Sequence, residues 1–379
     1  MPRKATTGAA VSPGAAGTAA QRSDIDRVRR YFHNFAEYQA PENGSPLYQV
    51  LSRGVLNDPD MLRFAASCPP SQPSANLLFA AVHELLLAGA PHPLRDYYPD
   101  VLADERLARA PGPETYAVFQ DFVWSRQEII RPVLETRLVQ TNVVRRTTCL
   151  LPLFAEVAQR AAGRPLALIE IGTSAGLNLH WDRYHHRYDL PSGAYHSWGD
   201  VGSPVHLTTQ VRGDTPLPAM PLTIRVAWRR GIDLNPIDVN DVAAMRWIRA
   251  LIFPEHIERH HTLEAAARVA KAHPVPVLKG DALERLPALL KEVPSASQLC
   301  VYATMVLNQF SADGRQALLD LLSACSRARP VALLTMEGVR EGWGRLHLMD
   351  FVDGRISRRH LADCHAHGRW LEWQAAADE

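Results

Sequence analysis

Glu170 sits near the end of the apolar run Leu166–Ile171, just before the small-residue turn Gly172-Thr173-Ser174-Ala175-Gly176. The amphipathic segment Leu177–Tyr188 follows, so the stretch reads as strand, glycine turn and helix. Gly172 and Gly176 let the backbone turn tightly and approach a ligand. The first amides of a helix are unpaired donors aimed at that ligand. An acid at Glu170 suits a ligand carrying an ammonium or hydroxyls better than a bare phosphate. Asp233, in Gly231-Ile232-Asp233-Leu234-Asn235-Pro236, ends a second strand candidate and can accept from both hydroxyls of a ribose. Asp281, in Gly280-Asp281-Ala282, ends a third and can accept from an exocyclic amine. A nucleoside with an amino-acid-like tail meets all three carboxylates.

The same residues carry other readings. Gly172-Thr173-Ser174-Ala175-Gly176 also spells the nucleophile elbow of α/β-hydrolases, with Ser174, Asp350 or Asp353, and His365 in triad order. Against it, only helical patterns precede the elbow and no His-Gly-Gly motif lies upstream. Asp233 before Asn-Pro also fits a turn cap, and Asp281 before a helix fits an N-cap. His180, His185 and His186 fall on the expected helix after the turn; only His180 is near its start, within a substrate's reach. Cys364-His365-Ala366-His367 looks like a metal cluster, but no partner set of ordinary zinc spacing exists, so no metal is expected. A substrate-contacting or core-packing role suits His365 and His367 better, with Trp370 and Trp373 as neighbours. Gln140-Thr141-Asn142 is polar within a helix of Leu and Val: a ligand contact or an interhelical hydrogen-bond cluster.

The elements that must position these residues divide into two kinds. Residues 1–22 are mostly Ala, Gly, Thr and Pro and read as a disordered tail. From 23 to 163 the apolar spacing is that of helices throughout, including one over Leu134–Ala162. This is expected to be an all-helical cap that packs over the strand ends and closes a pocket. From 164 to 379, short apolar runs alternate with helices, which predicts an α/β, mostly parallel sheet covered on both faces. The stretch from 189 to 222 is an insertion of loops and short strands, and Leu346–Phe351 with the return from Ile356 reads as a closing antiparallel hairpin.

Composition sets the outer limits. The chain has 379 residues, net charge +1, 46% hydrophobic and 21% charged residues, the profile of a globular protein. No basic stripe argues for nucleic acid. No apolar run approaches a membrane span of about 18 residues. Five widely spaced cysteines without C-x-x-C predict free thiols and a cytoplasmic location.

The three acid-bearing segments, in their order, resemble the class I S-adenosylmethionine-dependent methyltransferases. The resemblance covers about 200 residues and implies a Rossmann-like fold. It assigns Glu170, Gly172, Thr173, Ser174, Ala175 and Gly176 to the methionine part, Asp233 and Leu234 to the ribose, and Asp281 and Ala282 to the adenine. Over the whole chain, Asn76–His83, Gln140-Thr141-Asn142, Gly176-Leu177-Asn178-Leu179, Arg230–Pro236 and Cys364–Trp370 are similar to an uncharacterised bacterial family, domain of unknown function 2332. Three features depart from the methyltransferase pattern. Ser174 replaces the usual central glycine. Asp233 lies 57 positions after Gly176, against about 20 in compact dinucleotide-type units; either the insertion explains this, or the second strand is Val205–Arg212 and the ribose acid is Asp214. Val143 follows Asn142 where an acid is expected. The implied activity is methyl transfer from S-adenosylmethionine to a small molecule. His180, Tyr302 and His365 are the catalytic candidates; Gln140, Asn142, Asn308 and His367 are the substrate contacts. An α/β-hydrolase and a non-catalytic Rossmann-like binding protein remain the alternatives.

Overall fold

The computed structural model describes residues 13–340 and 342–378, with side chains for 24–339 and 342–374. Of the expected tail, residues 1–12 lie outside this range; from Pro13 the backbone is helical. The chain divides into two compact units. One runs to Gln140 and takes in Arg246–Ile257; the other comprises Thr141–Met245 and the chain from Glu258 onward.

The first unit is all-helical among its described residues. Its main helices are Pro13–Asn34, Pro46–Leu56, Pro59–Ala65, Ser74–Leu87, Thr115–Ser125 and Gln127–Thr136. Phe32, Phe35, Tyr48, Phe79 and Phe119 form its aromatic centre, with Tyr48 stacked on Phe79 at 4.6 Å. Asp58 shows how local chemistry and packing combine. Its Oδ1 caps the helix Pro59–Ala65 by accepting from the amides of Asp60 and Met61, at 2.9 and 3.0 Å. Its Oδ2 accepts from the Tyr116 hydroxyl at 2.8 Å and the Gln120 amide at 2.6 Å. Burial alone would raise this carboxyl, but the four hydrogen bonds outweigh it and hold the group below its ordinary range. Asp58→Ala removes the cap and strands two donors. The expected loss is about 2–3 kcal/mol in urea unfolding, with partial recovery in Asp58→Asn.

The second unit is an eleven-strand sheet with helices on both faces. Its strands are β1 (Leu166–Ile171), β2 (His185–Asp189), β3 (Tyr195–Trp198), β4 (His206–Arg212), β5 (Val226–Asp233), β6 (Val277–Lys279), β7 (Gln298–Thr304), β8 (Val331–Arg340), β9 (Trp343–Val352), β10 (Arg355–His365) and β11 (Trp370–Asp378). The spatial order is β3-β2-β4-β11-β10-β9-β8-β7-β1-β5-β6. From β6 to β8 the strands are parallel, and the order reverses direction at β1. That is the Rossmann-like arrangement, with a topological switch point beside β1. β1 and β7 are buried at every position, which is why both read as unbroken apolar runs. Leu166 and Leu168 pack toward Phe154 and Leu150 of the helix Arg146–Arg160. Ala167, Ile169 and Ile171 pack with Leu286 and Leu318, from the helices Ala282–Glu292 and Ala312–Ser326.

Four local expectations differ from the structure. The stretch from Arg137 to Arg145 is not helical, so the expected helix Leu134–Ala162 is two helices with Gln140-Thr141-Asn142 between them. Val139, Thr141, Val143 and Val144 are β-branched and weak helix formers. His185 and His186 lie on β2 rather than on a helix: after Gly176 the chain makes only the 3-10 turn Leu177–Arg183, held by the Tyr184 hydroxyl on the Leu177 carbonyl at 2.6 Å. The hairpin of β9 and β10, turned at Asp353-Gly354 with both φ positive, is not at the sheet's edge. The insertion supplies β3 and β4, which join β2 just before it, and β4 pairs with β11 beyond the hairpin. Finally, β5 pairs directly with β1, so Asp214, beyond β4, stands across the antiparallel strands from the glycine turn.

Candidate functional site

Glu170 is 1% exposed at the carboxyl end of β1, in register with Gly231 on β5 and Tyr302 on β7. The Thr173 hydroxyl reaches back from the turn and donates to its Oε2 at 2.6 Å. Gly231 makes room for that contact, since a Cβ there would lie 2.5 Å from Thr173 Cγ2. Burial pushes the Glu170 carboxyl up to about 8; Asp233 adds to the rise, and Thr173, Tyr302 and Asn178 oppose it. The Tyr302 hydroxyl approaches the carboxyl without the geometry of a full hydrogen bond. No ion pair to Glu170 exists among the described residues. A group so placed is mostly protonated at neutral pH, and a cation brought beside it favours the carboxylate and draws the value down.

The turn itself is left-handed at Gly172, Ser174 and Gly176, with φ of 72°, 54° and 72°. The Ser174 amide donates to Asp233 Oδ2 at 2.7 Å, and the Asn235 amide to Oδ1 at 2.7 Å. Asp233 therefore ties the turn after β1 to the loop after β5. The Asn142 amide donates to the Thr173 carbonyl at 2.9 Å, bracing the turn from the other side. Among the buried polar atoms here without a hydrogen-bond partner are Asn142 Oδ1, Ser174 Oγ and Asn178 Oδ1.

Thus Glu170 and Asp233 come together. Asp281 is exposed and turns to its own helix, accepting from the Leu283 amide at 2.7 Å as an N-cap. Ala282 is buried as the first residue of that helix, and Leu234 is exposed. A cavity of about 340 Å³ opens beside the turn, lined by Ala175, Gly176 and His180 and by the loop Pro236–Asn240; none of the three acids lines it. Burial and the neighbouring Arg229 drive His180 down to about 3, so it is neutral. Tyr302 is fully buried, and burial drives its hydroxyl well above the usual range. Asn308 donates through its side chain to the Gly338 carbonyl at 3.2 Å. Gln140 is half-buried and closes the first unit. Glu337, which the sequence reading passes over, accepts from the amides of Val306, Leu307 and Asn308 at the end of β8.

His365 and His367 stand at the turn between β10 and β11, at the same end of the strands as Glu170 but four strands away from β1. Burial and Arg369 bring His365 down to about 4; burial and Arg259 bring His367 well below its ordinary value. The hydrolase triad is not assembled. Asp350 pairs with Arg160 at 2.6 Å and Asp353 is in the β9–β10 turn, both at the opposite end of β10 from His365. Ser174 has the positive φ of an elbow, but its Oγ meets no histidine.

A family profile described as "Uncharacterized protein conserved in bacteria (DUF2332)" matches residues 29–373. The solved structure of the CcbJ methyltransferase from Streptomyces caelestis is similar at 11% identity, over 63% of this chain and 72% of that one, with a TM-score of 0.18. No curated protein matches. Among the described residues, no helix is long and apolar enough to cross a membrane, and no group of three or more His, Cys, Asp and Glu is arranged to hold a metal ion.

Proposed function

We propose that this chain, which belongs to the DUF2332 family of bacterial proteins, is an S-adenosylmethionine-dependent methyltransferase acting on a small molecule. One observation carries the reading: two acids at the ends of adjacent parallel strands, Glu170 and Asp233, meet at a left-handed turn beside the switch point. The residues fit the cofactor's methionine end. Glu170 is a buried carboxyl lacking a cation, and an ammonium supplies one. Ser174 Oγ and Asn178 Oδ1 are buried without partners and gain hydrogen bonds from the same group. Asp233, fixed by the amides of Ser174 and Asn235, holds a carboxylate beside the turn, the group type that accepts from ribose hydroxyls. Asp281 retains one oxygen for the adenine amine.

When bound, S-adenosylmethionine supplies an electrophilic methyl on a sulfonium. The chain's residues then hold, align and exclude water. His180 and His365 are neutral and weakly basic, and Tyr302 keeps its proton. None of the three is poised to remove a proton at neutral pH, which suits an acceptor that arrives already deprotonated. Isothermal titration with S-adenosylhomocysteine tests the reading. Saturable binding is expected, weakened at least about tenfold in Asp233→Ala. Absence of binding to the wild-type chain overturns it. Binding without methylated product across a panel of small acids favours the non-catalytic alternative.

A further inference from the structure

The cavity beside the glycine turn lies wholly within the second unit and is graded from a closed end to an open one. Ala175, Gly176, His180 and Ala270, at the closed end, are buried; Asp238, Asn240 and Lys271, at the mouth, are exposed. Between them stand Ile237, Val239, Val275 and Val277, each half-buried. Branched aliphatic side chains that face a cavity instead of one another retain apolar surface for a ligand's body to cover. Both walls are fixed. The Ile237 amide donates to the Ser174 carbonyl at 3.2 Å, which pins one wall to the turn. Val277, on the other, begins β6 in register with Gly231. A preformed cavity of about 340 Å³ suits a small ligand.

Two polar groups along it lack partners. His180 is 2% exposed and interrupts the 3-10 turn Leu177–Arg183, with φ of −106° and ψ of 16°. Its ring lines the cavity, and its Nδ1 has no hydrogen-bond partner. Burial, then Arg229 and Arg183, keep the ring neutral, so it has one donor and one acceptor to satisfy. An unpaired buried nitrogen is costly, and a ligand that supplies the partner removes the cost. Lys271, in the last turn of the helix Ile257–Ala272, makes no ion pair or side-chain hydrogen bond among the described residues. Asp238, the acid at the mouth, turns to its own loop: Oδ1 accepts from the Asn240 amide and side chain at 2.8 and 3.0 Å. The cavity thus leads from an imidazole, past an aliphatic wall, to a cation. A rigid ring fits such a path at lower entropic cost than a flexible chain. A hydroxyl both donates and accepts, so it satisfies the imidazole in either tautomer.

We propose that this cavity binds a small hydroxyl-bearing aromatic acid, with the hydroxyl at His180, the ring against Ile237, Val239, Val275 and Val277, and the carboxylate at Lys271. The site goes beyond the methyl-transfer reading and does not depend on it, since Glu170, Asp233 and Asp281 are not among its lining residues.

The test uses the full chain and isothermal titration at constant ionic strength. The probes are 4-hydroxybenzoate and 3-(4-hydroxyphenyl)propanoate, each paired with its hydroxyl-free counterpart, benzoate or 3-phenylpropanoate. At least one hydroxy acid is expected to bind the wild-type chain saturably, about fivefold to tenfold more tightly than its counterpart. In His180→Phe, which keeps a ring in the wall, the pair binds alike. Lys271→Gln weakens both members by about fivefold to tenfold, and the exposed control Lys291→Gln changes neither. Unchanged thermal midpoints show that the variants are folded. Lys271 is exposed, so its substitution decides the matter should His180→Phe fail to fold. The proposal is overturned if neither hydroxy acid binds the wild-type chain, if Lys271→Gln binds as tightly as wild type, or if folded His180→Phe keeps the hydroxyl preference. S-adenosylhomocysteine is titrated in parallel: its failure to bind sinks the methyl-transfer reading and leaves this site standing.

Discussion

Glu170→Gln is expected to abolish a steep loss of stability between about pH 4.5 and about 8. In the folded chain burial holds this carboxyl at about 8, against an ordinary value of 4.5. Between those values the folded protein keeps a proton that the unfolded chain has released. Stability therefore falls as pH rises through the window, by about 1.4 kcal/mol per unit and about 5 kcal/mol in all. Below it, the protonated glutamate and the glutamine amide are near-equivalent. Above it, the variant is the more stable protein. Glu255 and Glu337, also raised chiefly by burial, remain in both proteins and cancel in the difference. Unfolding free energies of the two proteins, taken from pH 5 to pH 9, check this, and parallel curves would show Glu170 to be an ordinary carboxyl. The same substitution is expected to weaken S-adenosylhomocysteine, because the uncompensated charge that favours an ammonium has gone.

Gly172→Ala is the second large effect, and it is steric. Gly172 has φ of 72°, and an added Cβ would lie 2.3, 2.9 and 3.1 Å from Cγ2, Cγ1 and Cβ of Val306. Val306 is branched at the contact, so rotating it exchanges one clash for another. Left-handed strain of about 1–2 kcal/mol and overpacking of about 1–3 kcal/mol add to about 2–5 kcal/mol of destabilisation. The double variant with Val306→Ala should recover the overpacking share and leave the backbone share, a cycle measurable by urea unfolding. A Gly172→Ala protein as stable as wild type would mean that the turn is not held as described.

What the sequence makes legible follows burial. β1 and β7 are enclosed on both faces and announce themselves as apolar runs, and the helical half shows its period plainly. The strands of the insertion do not. Tyr195–Trp198 buries only Trp198, and β4 alternates over seven residues rich in Thr and Gln. Their place in the sheet depends on β11, far along the chain, which no local pattern encodes. At the site, Glu170 and its turn are local and readable. Asp233 and Asp281 each admit a capping role from sequence, and both perform it here. That Asp233 also grips the Ser174 amide depends on the pairing of β1 with β5, a long-range fact.

The pairing of β4 with β11 also bears on how the protein is made. While a nascent chain is still on the ribosome, the segment from His185 to Arg212 emerges well before residues 370–378 that will flank it. Until then β4 has an unsatisfied margin, able to pair with another polypeptide. Closure across so long a separation raises the contact order and slows this half of the sheet relative to the strands around β1.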